Sequence, residues 1–267
     1  MDAIDRIIEC ASGVERLPEE PIEILTSARF HGVEKIARGG MLELPKIEVT
    51  AQRLVHFLAA HQFDLRPDMV ILAKALSGGL VPVSAVLMTN KIYRAVYSSL
   101  KRAIVHTSTF SENSLSMRAG LAALDVLEHE QLGTRALELG ELFRHRLRSE
   151  LAGFDMVKDV RGMGLLNGIE FVPPKTLAFR ALFEAFNKIH PAMFGQILVM
   201  RMFREKGILT QICGNNFMVL KAAPPLTVTA EQLDEFVAGI RDVVEMAQSS
   251  LAFWTEALAM VRRSVNL

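Results

Sequence analysis

Cysteine is scarce in this chain: Cys10 and Cys213 are the only two among 267 residues. Two thiols cannot build a disulfide framework, and these lack metal-ligand spacing, which points to a reducing compartment. No excess of either charge is present. Thirty basic residues balance thirty acidic ones, so the field that draws a chain to nucleic acid or an anionic membrane is missing. Long apolar runs are absent too, although half the residues are hydrophobic and the mean hydropathy is +0.25. The longest are broken by Lys74, Gly78 and Pro82, or by Lys221 and Pro224, well short of the roughly 20 residues a membrane helix needs. The opening MDAIDRIIECASGVERLPEEP carries acids where a signal peptide carries basic residues. No internal repeat or low-complexity tract stands out. A soluble cytoplasmic protein with one large domain or two modest ones is the resulting expectation.

Periodicity is uneven along the chain. Ala3 to Ala11 reads as a short helix, but the rest of the first 50 residues shows no sustained period. A helix is expected at residues 51–62, then a short, partly β-branched strand from Met69 to Ala73, bounded by turn residues as a buried parallel strand would be. Val81 to Thr89 reads as a second strand, with Asn90 capping a short helix that runs to about Ser99. Leu, Ala and Met at three- and four-residue spacing predict helices over Ser114–Glu128 and Gln131–Ala152. From Phe154 the period shortens: MVKDVRG and LLNGIEFV are two strands around Gly162 and Gly164. A long apolar helical region, Leu177 to Arg204, is interrupted at His190-Pro191 and Gly195. ILTQIC and FMVLKAA are strands joined by the turn Gly214-Asn215-Asn216. Thr229 and Gln232 form a capping box that opens a helix to Ser249, and a last helix follows from Leu251 to about Arg262. Strands alternating with helices make this an α/β chain with a break near Phe154.

Lys74 is the first candidate for chemistry. It closes an apolar run and is followed by Ser77-Gly78-Gly79. Desolvation at a strand edge disfavours a charged ammonium, and a neutral lysine amine attacks carbonyl carbon. The glycines let the backbone turn sharply and approach a planar ligand. A solvated lysine ending a strand fits the same residues, and both readings stand.

The wording of the segment separates them. PDMVILAKALSGGLVPVSAVLMT resembles the lysine segment of class-III (ornithine/4-aminobutyrate-type) aminotransferases, which reads close to PDxxxxxKALxGGxxPxxAV. HTSTFSEN, His106 to Asn113, is similar to that family's HGSTFGGN; VRGMGLLNGIEF and GILTQICGNNFMVLKAAPPL resemble its VRGxGLxxGIEF and GIL…RxxPPL. Together the similar segments run from about Asp64 to Gln248 in the family's order. The resemblance implies a fold-type-I transferase using pyridoxal 5′-phosphate. Its large domain, with a mostly parallel sheet, would be partial here, and a smaller C-terminal α+β domain would follow. The implied division is residues 1–50 as a poorly assignable segment, 51–153 as the partial cofactor-binding domain and 154–267 as the small domain. Lys74 would be the catalytic lysine, joined to the cofactor and moving a proton between substrate Cα and cofactor C4′. Thr109, with Ser108 beside it, would hold the cofactor phosphate of the neighbouring subunit, which makes a homodimer part of the site. A helix starting near Ser114 would aim its N–H groups and dipole nearby. His106 is either part of this site or a packed loop residue, and Arg161-Gly162 is expected to serve the fold. The partners implied are a small-molecule amino donor and a carbonyl acceptor, with no nucleic acid and no transmembrane segment.

Three features depart from the family's pattern. Members exceed 400 residues, and the half that carries a GSGTEA-like phosphate cradle and a DExQTGxGRTG motif has no counterpart here, so the chain is expected to be N-terminally incomplete. The aspartate of that second motif keeps the pyridine ring protonated; counting back from Lys74 reaches Pro45, where the nearest acids are Glu43 and Glu48. Second, Lys221 in VLKAAPPL stands where many members have an arginine that forks a substrate carboxylate, and an ammonium has no such planar fork. It is the expected substrate-binding residue. Third, Leu177–Arg204 is longer and more apolar than in ornithine-type members, either as core or as the wall of an apolar pocket. The wording is most similar to the subgroup linked to hopanoid side-chain amination, which implies a bulky apolar aldehyde as acceptor. The rival expectations are a catalytically inactive remnant or partner subunit, and an apolar-ligand module built on Leu177–Arg204.

Overall fold

A computed structural model of the chain describes residues 22–25, 67–105, 109, 111, 113–213 and 217–255. The chain divides into two compact units, Met1–Arg135 and Ala136–Leu267. The helices expected at residues 3–11 and 51–62 lie outside the described residues.

In the first unit, β1 (Ile22–Leu25), β2 (Met69–Leu72) and β3 (Ala85–Thr89) form a sheet in the order β1-β3-β2. Both ladders are antiparallel, with Met69 opposite Met88, Leu72 opposite Ala85 and Ile22 opposite Thr89. The α/β class holds, but the mostly parallel layer is not what the described strands build. Residues 73–84 join β2 to β3 through one 3₁₀ turn, Lys74–Ser77, with no crossover helix to return the chain in parallel. Four residues of β1 are too few for a period to register in sequence. The second strand starts at Ala85 rather than Val81, because Pro82 has no N–H to donate and both backbone groups of Val81 are engaged by the Ser77 hydroxyl.

The next helix, α1 (Asn90–Val96), has Thr89 at its N-cap without a side-chain bond, so Asn90 is its first residue and is buried rather than capping. Then α2 (Ser114–His129) is capped by Asn113, whose Oδ1 accepts from the Ser116 N–H at 3.1 Å. Leu124 on α2 joins Leu72, Leu76, Ala85 and Leu87 in a small core.

The second unit is larger in core. Most of α3 (Leu132–Leu151) belongs to it, since Phe143, Leu147 and Leu151 on this helix are buried there. The antiparallel hairpin β4 (Val157–Met163) and β5 (Leu166–Phe171) turns at Gly164, and β7 (Val219–Ala222) and β6 (Gln211–Ile212) complete the order β4-β5-β7-β6. Every second residue of β5 is buried, namely Asn167, Ile169 and Phe171, the alternation of a sheet with one covered face. The covering helices include α4 (Leu177–Ile189), α5 (Met193–Lys206) and α6 (Ala230–Ser249). His190-Pro191 does break the long apolar region. Gly195 does not: it lies inside α5, where a Cβ would come within 2.5 Å of Ile212 Cγ2, so it allows close packing on β6. Phe183, Phe186, Phe194 and Leu198 fill the core with Trp254, which is the core reading of Leu177–Arg204. The Thr229–Gln232 capping box is present on α6. Residues 251–255 continue as helix; the turn at 214–216 and residues after 255 lie outside the described set. Among the described residues no helix is long and apolar enough to cross a membrane.

Candidate active site

Lys74 is the residue immediately past Ala73, which follows β2, and it opens the 3₁₀ turn Lys74–Ser77. Its φ is 54°, the left-handed region that costs a residue with a Cβ on the order of 1–2 kcal/mol. The turn is anchored at its far end. Leu76 and Ser77 are 3% and 1% exposed, Leu76 packs in the core with Leu124, and Gly120 of α2 faces the Leu76 carbonyl. Two backbone bonds hold the turn, Leu76 N–H to Ala73 O at 3.2 Å and Gly78 N–H to Ala75 O at 2.9 Å. Lys74 itself is exposed, so the desolvation expected from its place at the end of an apolar strand is not there; the backbone turn carries the side chain out of the sheet.

The glycines do what a ligand-facing turn requires. Gly78 and Gly79 have φ of 69° and 87°, and a Cβ on either would meet nothing within 4 Å. Among the described residues, the space beside the lysine turn is therefore open on the side the glycines face, which leaves backbone accessible there. Thr109 is exposed in the segment that leads into α2, four residues before the Asn113 cap. Ser108 and His106 lie outside the described residues, as do Glu43 and Glu48.

Lys221 belongs to the second unit. It is half-buried in the middle of β7, opposite Gly168 on one side and Gln211 on the other. Gly168 in turn faces Arg161, so one row across the sheet reads Arg161, Gly168, Lys221, Gln211. Arg161 is committed: Nη1 donates to Asp159 Oδ2 at 3.1 Å and to Glu170 Oε2. Lys158 Nζ reaches the other oxygen of Glu170 at 2.6 Å. These bonds from Lys158 and Arg161 hold the Glu170 carboxyl below its usual range. Lys221, in contrast, has no carboxylate partner among the described residues; its backbone lies in the β7 ladder, and its carbonyl also accepts from Thr210 Oγ1 at 2.7 Å. Arg161 is thus tied into ion pairs of the fold, as expected, while no carboxylate among the described residues pairs with Lys221.

Two contributors escape sequence reading. The Ser77 hydroxyl donates to Val81 O at 2.5 Å and accepts from Val81 N–H at 3.2 Å; a serine before two glycines looks like turn composition until this closure is seen. The Asn113 cap had a signal, asparagine directly before the first residue of a periodic helix.

With the geometry in place, the comparisons with known proteins fall into one pattern. The family model for class-III aminotransferases matches residues 53–244. An uncharacterized aminotransferase of Schizosaccharomyces pombe is 32% identical over 205 residues, 76% of this chain and 40% of that protein. The ornithine aminotransferase of an Exiguobacterium species is 37% identical over 187 residues, 70% of this chain and 39% of that protein. Among solved structures, the ornithine aminotransferase of Toxoplasma gondii, described with partial occupancy of PLP at its active site, is 30% identical. It superposes with a TM-score of 0.60 over 79% of this chain and 43% of that one. The chain therefore spans about two fifths of the length of the curated relatives it matches.

Proposed function

The chain belongs to the class-III aminotransferase family, and from that premise we propose that it serves a pyridoxal-phosphate-dependent transamination between an amino-acid donor and a carbonyl acceptor. One observation carries the reading: the family's lysine, Lys74, is exposed in a left-handed turn beside glycines whose missing side chains leave open space. An amine for the aldehyde, an open backbone face for the ring and a hydroxyl for the phosphate form a donor set suited to this cofactor. Pyridoxal phosphate, when bound, supplies a ring that takes up carbanion charge. Lys74 Nζ would hold the cofactor and, once the substrate amine has displaced it, carry the proton at the substrate Cα as general base and acid. Thr109, with Ser108, would donate to phosphate, across a twofold interface in a homodimer. Residues 51–153 would act as the cofactor-binding portion and 154–267 as the small domain. Lys221 would meet the anionic end of a substrate, its half-buried position and lack of a carboxylate partner supporting that role. The scarcity of cysteine supports a cytoplasmic setting.

A finer reading concerns the acceptor. A bulky apolar aldehyde of hopanoid type is supported by the subgroup-like wording of VILAKALSGGL and SSLKRAIVHTSTFSEN and by lysine in place of a carboxylate-forking arginine at 221. A panel of apolar aldehydes against 2-oxo acids tests it: turnover only with 2-oxo acids overturns it.

The reaction itself is tested by incubating the full chain with pyridoxal phosphate, reducing with borohydride and mapping the label. Label on Lys74, lost in Lys74→Ala, and bleaching of the visible cofactor band by amino donors are the expected results. Cofactor that washes away, with a spectrum unchanged by Lys74→Ala, leaves the inactive-remnant reading instead.

A further inference from the structure

We propose that Ser77 is a positioning residue that keeps Lys74 in its left-handed turn, and so aims the amine, by holding Val81 away from the β2–β3 ladder; this rests on the reading of Lys74 as the cofactor lysine. A lysine does not choose φ 54° unaided. The ladder offers it an alternative. Leu72 faces Ala85, and continuing that register by two residues sets Lys74 opposite Val83. Extension would draw Ala73, already extended at φ −158°, and then Lys74 into β geometry, turning the side chain onto a face of the sheet. Extension to that register requires Ser84 and Val83 to come forward into the strand, drawing Pro82 and Val81 after them. The Ser77 hydroxyl prevents this by taking both backbone groups of Val81, the N–H at 3.2 Å and the carbonyl at 2.5 Å. At 1% exposure it does so out of reach of competing water. The loop 77–81 is thereby closed upon itself, a further weak bond running from Leu80 N–H to Ser77 O at 3.5 Å.

Two measurements on the full chain test this. The first is amide exchange without cofactor. Ser77→Ala should speed exchange at Leu76, Gly78 and Val81 by about tenfold or more, leaving α6 unchanged, as expected from the loss of two hydrogen bonds. The second is borohydride trapping over a pyridoxal phosphate series, in which Ser77→Ala should need about tenfold more cofactor to label half of Lys74. Ser77→Cys, close in shape but a weak donor, should fall between in both, and it decides the matter if Ser77→Ala does not fold. Faster exchange confined to Val81, with Leu76, Gly78 and the labelling midpoint within about twofold of the parent, overturns the proposal. If the parent chain shows no label on Lys74, the cofactor reading fails by itself. The exchange arm still decides whether Ser77 holds the turn: unchanged rates at Leu76 and Gly78 overturn it.

Discussion

At Lys74 the backbone is held where a side chain is unwelcome, and that has a measurable sign. Glycine has no Cβ to crowd its own carbonyl, so Lys74→Gly should be more stable than Lys74→Ala by about 1 kcal/mol, read from urea midpoints. In an ordinary strand or helix the order would be reversed. Strain of this kind persists where neighbours over-determine it, and the buried Leu76 and Ser77 are those neighbours. A second residue-scale expectation concerns Glu170. Bonds from Lys158 and Arg161 depress its folded pKa, so its contribution to stability is present above the unfolded value near pH 4.3. It is lost as pH falls through the lower folded value. Glu170→Gln should therefore lower stability at pH 8 and flatten the acid limb of the stability–pH curve between pH 5 and 3, the two chains converging in acid; an unchanged acid limb would sink this assignment.

At the scale of elements, helices hold the loops that carry the candidate residues. α2 supports the lysine turn through Leu124 and Gly120, and its Asn113-capped start follows directly on the Thr109 segment. In the second unit, α3 grips the β4–β5 hairpin. Arg144, 5% exposed, donates to Gly164 O at 2.8 Å, Asn167 Oδ1 at 2.9 Å and Glu141 Oε2 at 2.7 Å. Four residues earlier Gly140 lies so close to the hairpin that a Cβ would fall 1.9 Å from Gly164 O. Alanine ordinarily improves a helix by about 1 kcal/mol over glycine. Here Gly140→Ala should destabilise by about 1–3 kcal/mol, the cost of overpacking against backbone that cannot yield. A denaturant midpoint that rises instead would refute the close approach.

At the scale of the molecule, the second unit contains its own core, from Ala136 and Phe143 through Ile169 and Phe194 to Trp254. A fragment of residues 131–267, which keeps α3 whole, should unfold cooperatively in urea with low binding of hydrophobic dye; a broad transition with strong dye binding would contradict an independent core. Much of this was legible beforehand. The periods of α2, α3 and α6, the β4–β5 hairpin and the Thr229 capping box follow from side-chain spacing and local hydrogen bonding, which need no distant partner. The lysine segment around Lys74 was legible in another way, through its resemblance to the family's wording. What local information could not decide was pairing and approach. Whether β2 and β3 run antiparallel, whether Val81 joins the strand, whether Gly195 breaks a helix or admits Ile212, and whether Lys74 is desolvated or exposed all depend on what arrives from elsewhere in the chain. Strand ladders, the Ser77 bridge and the Gly140–Gly164 contact are made between residues that only tertiary packing brings together. The residue types at the candidate site could thus be read from sequence, whereas the left-handed turn that aims Lys74 required the fold.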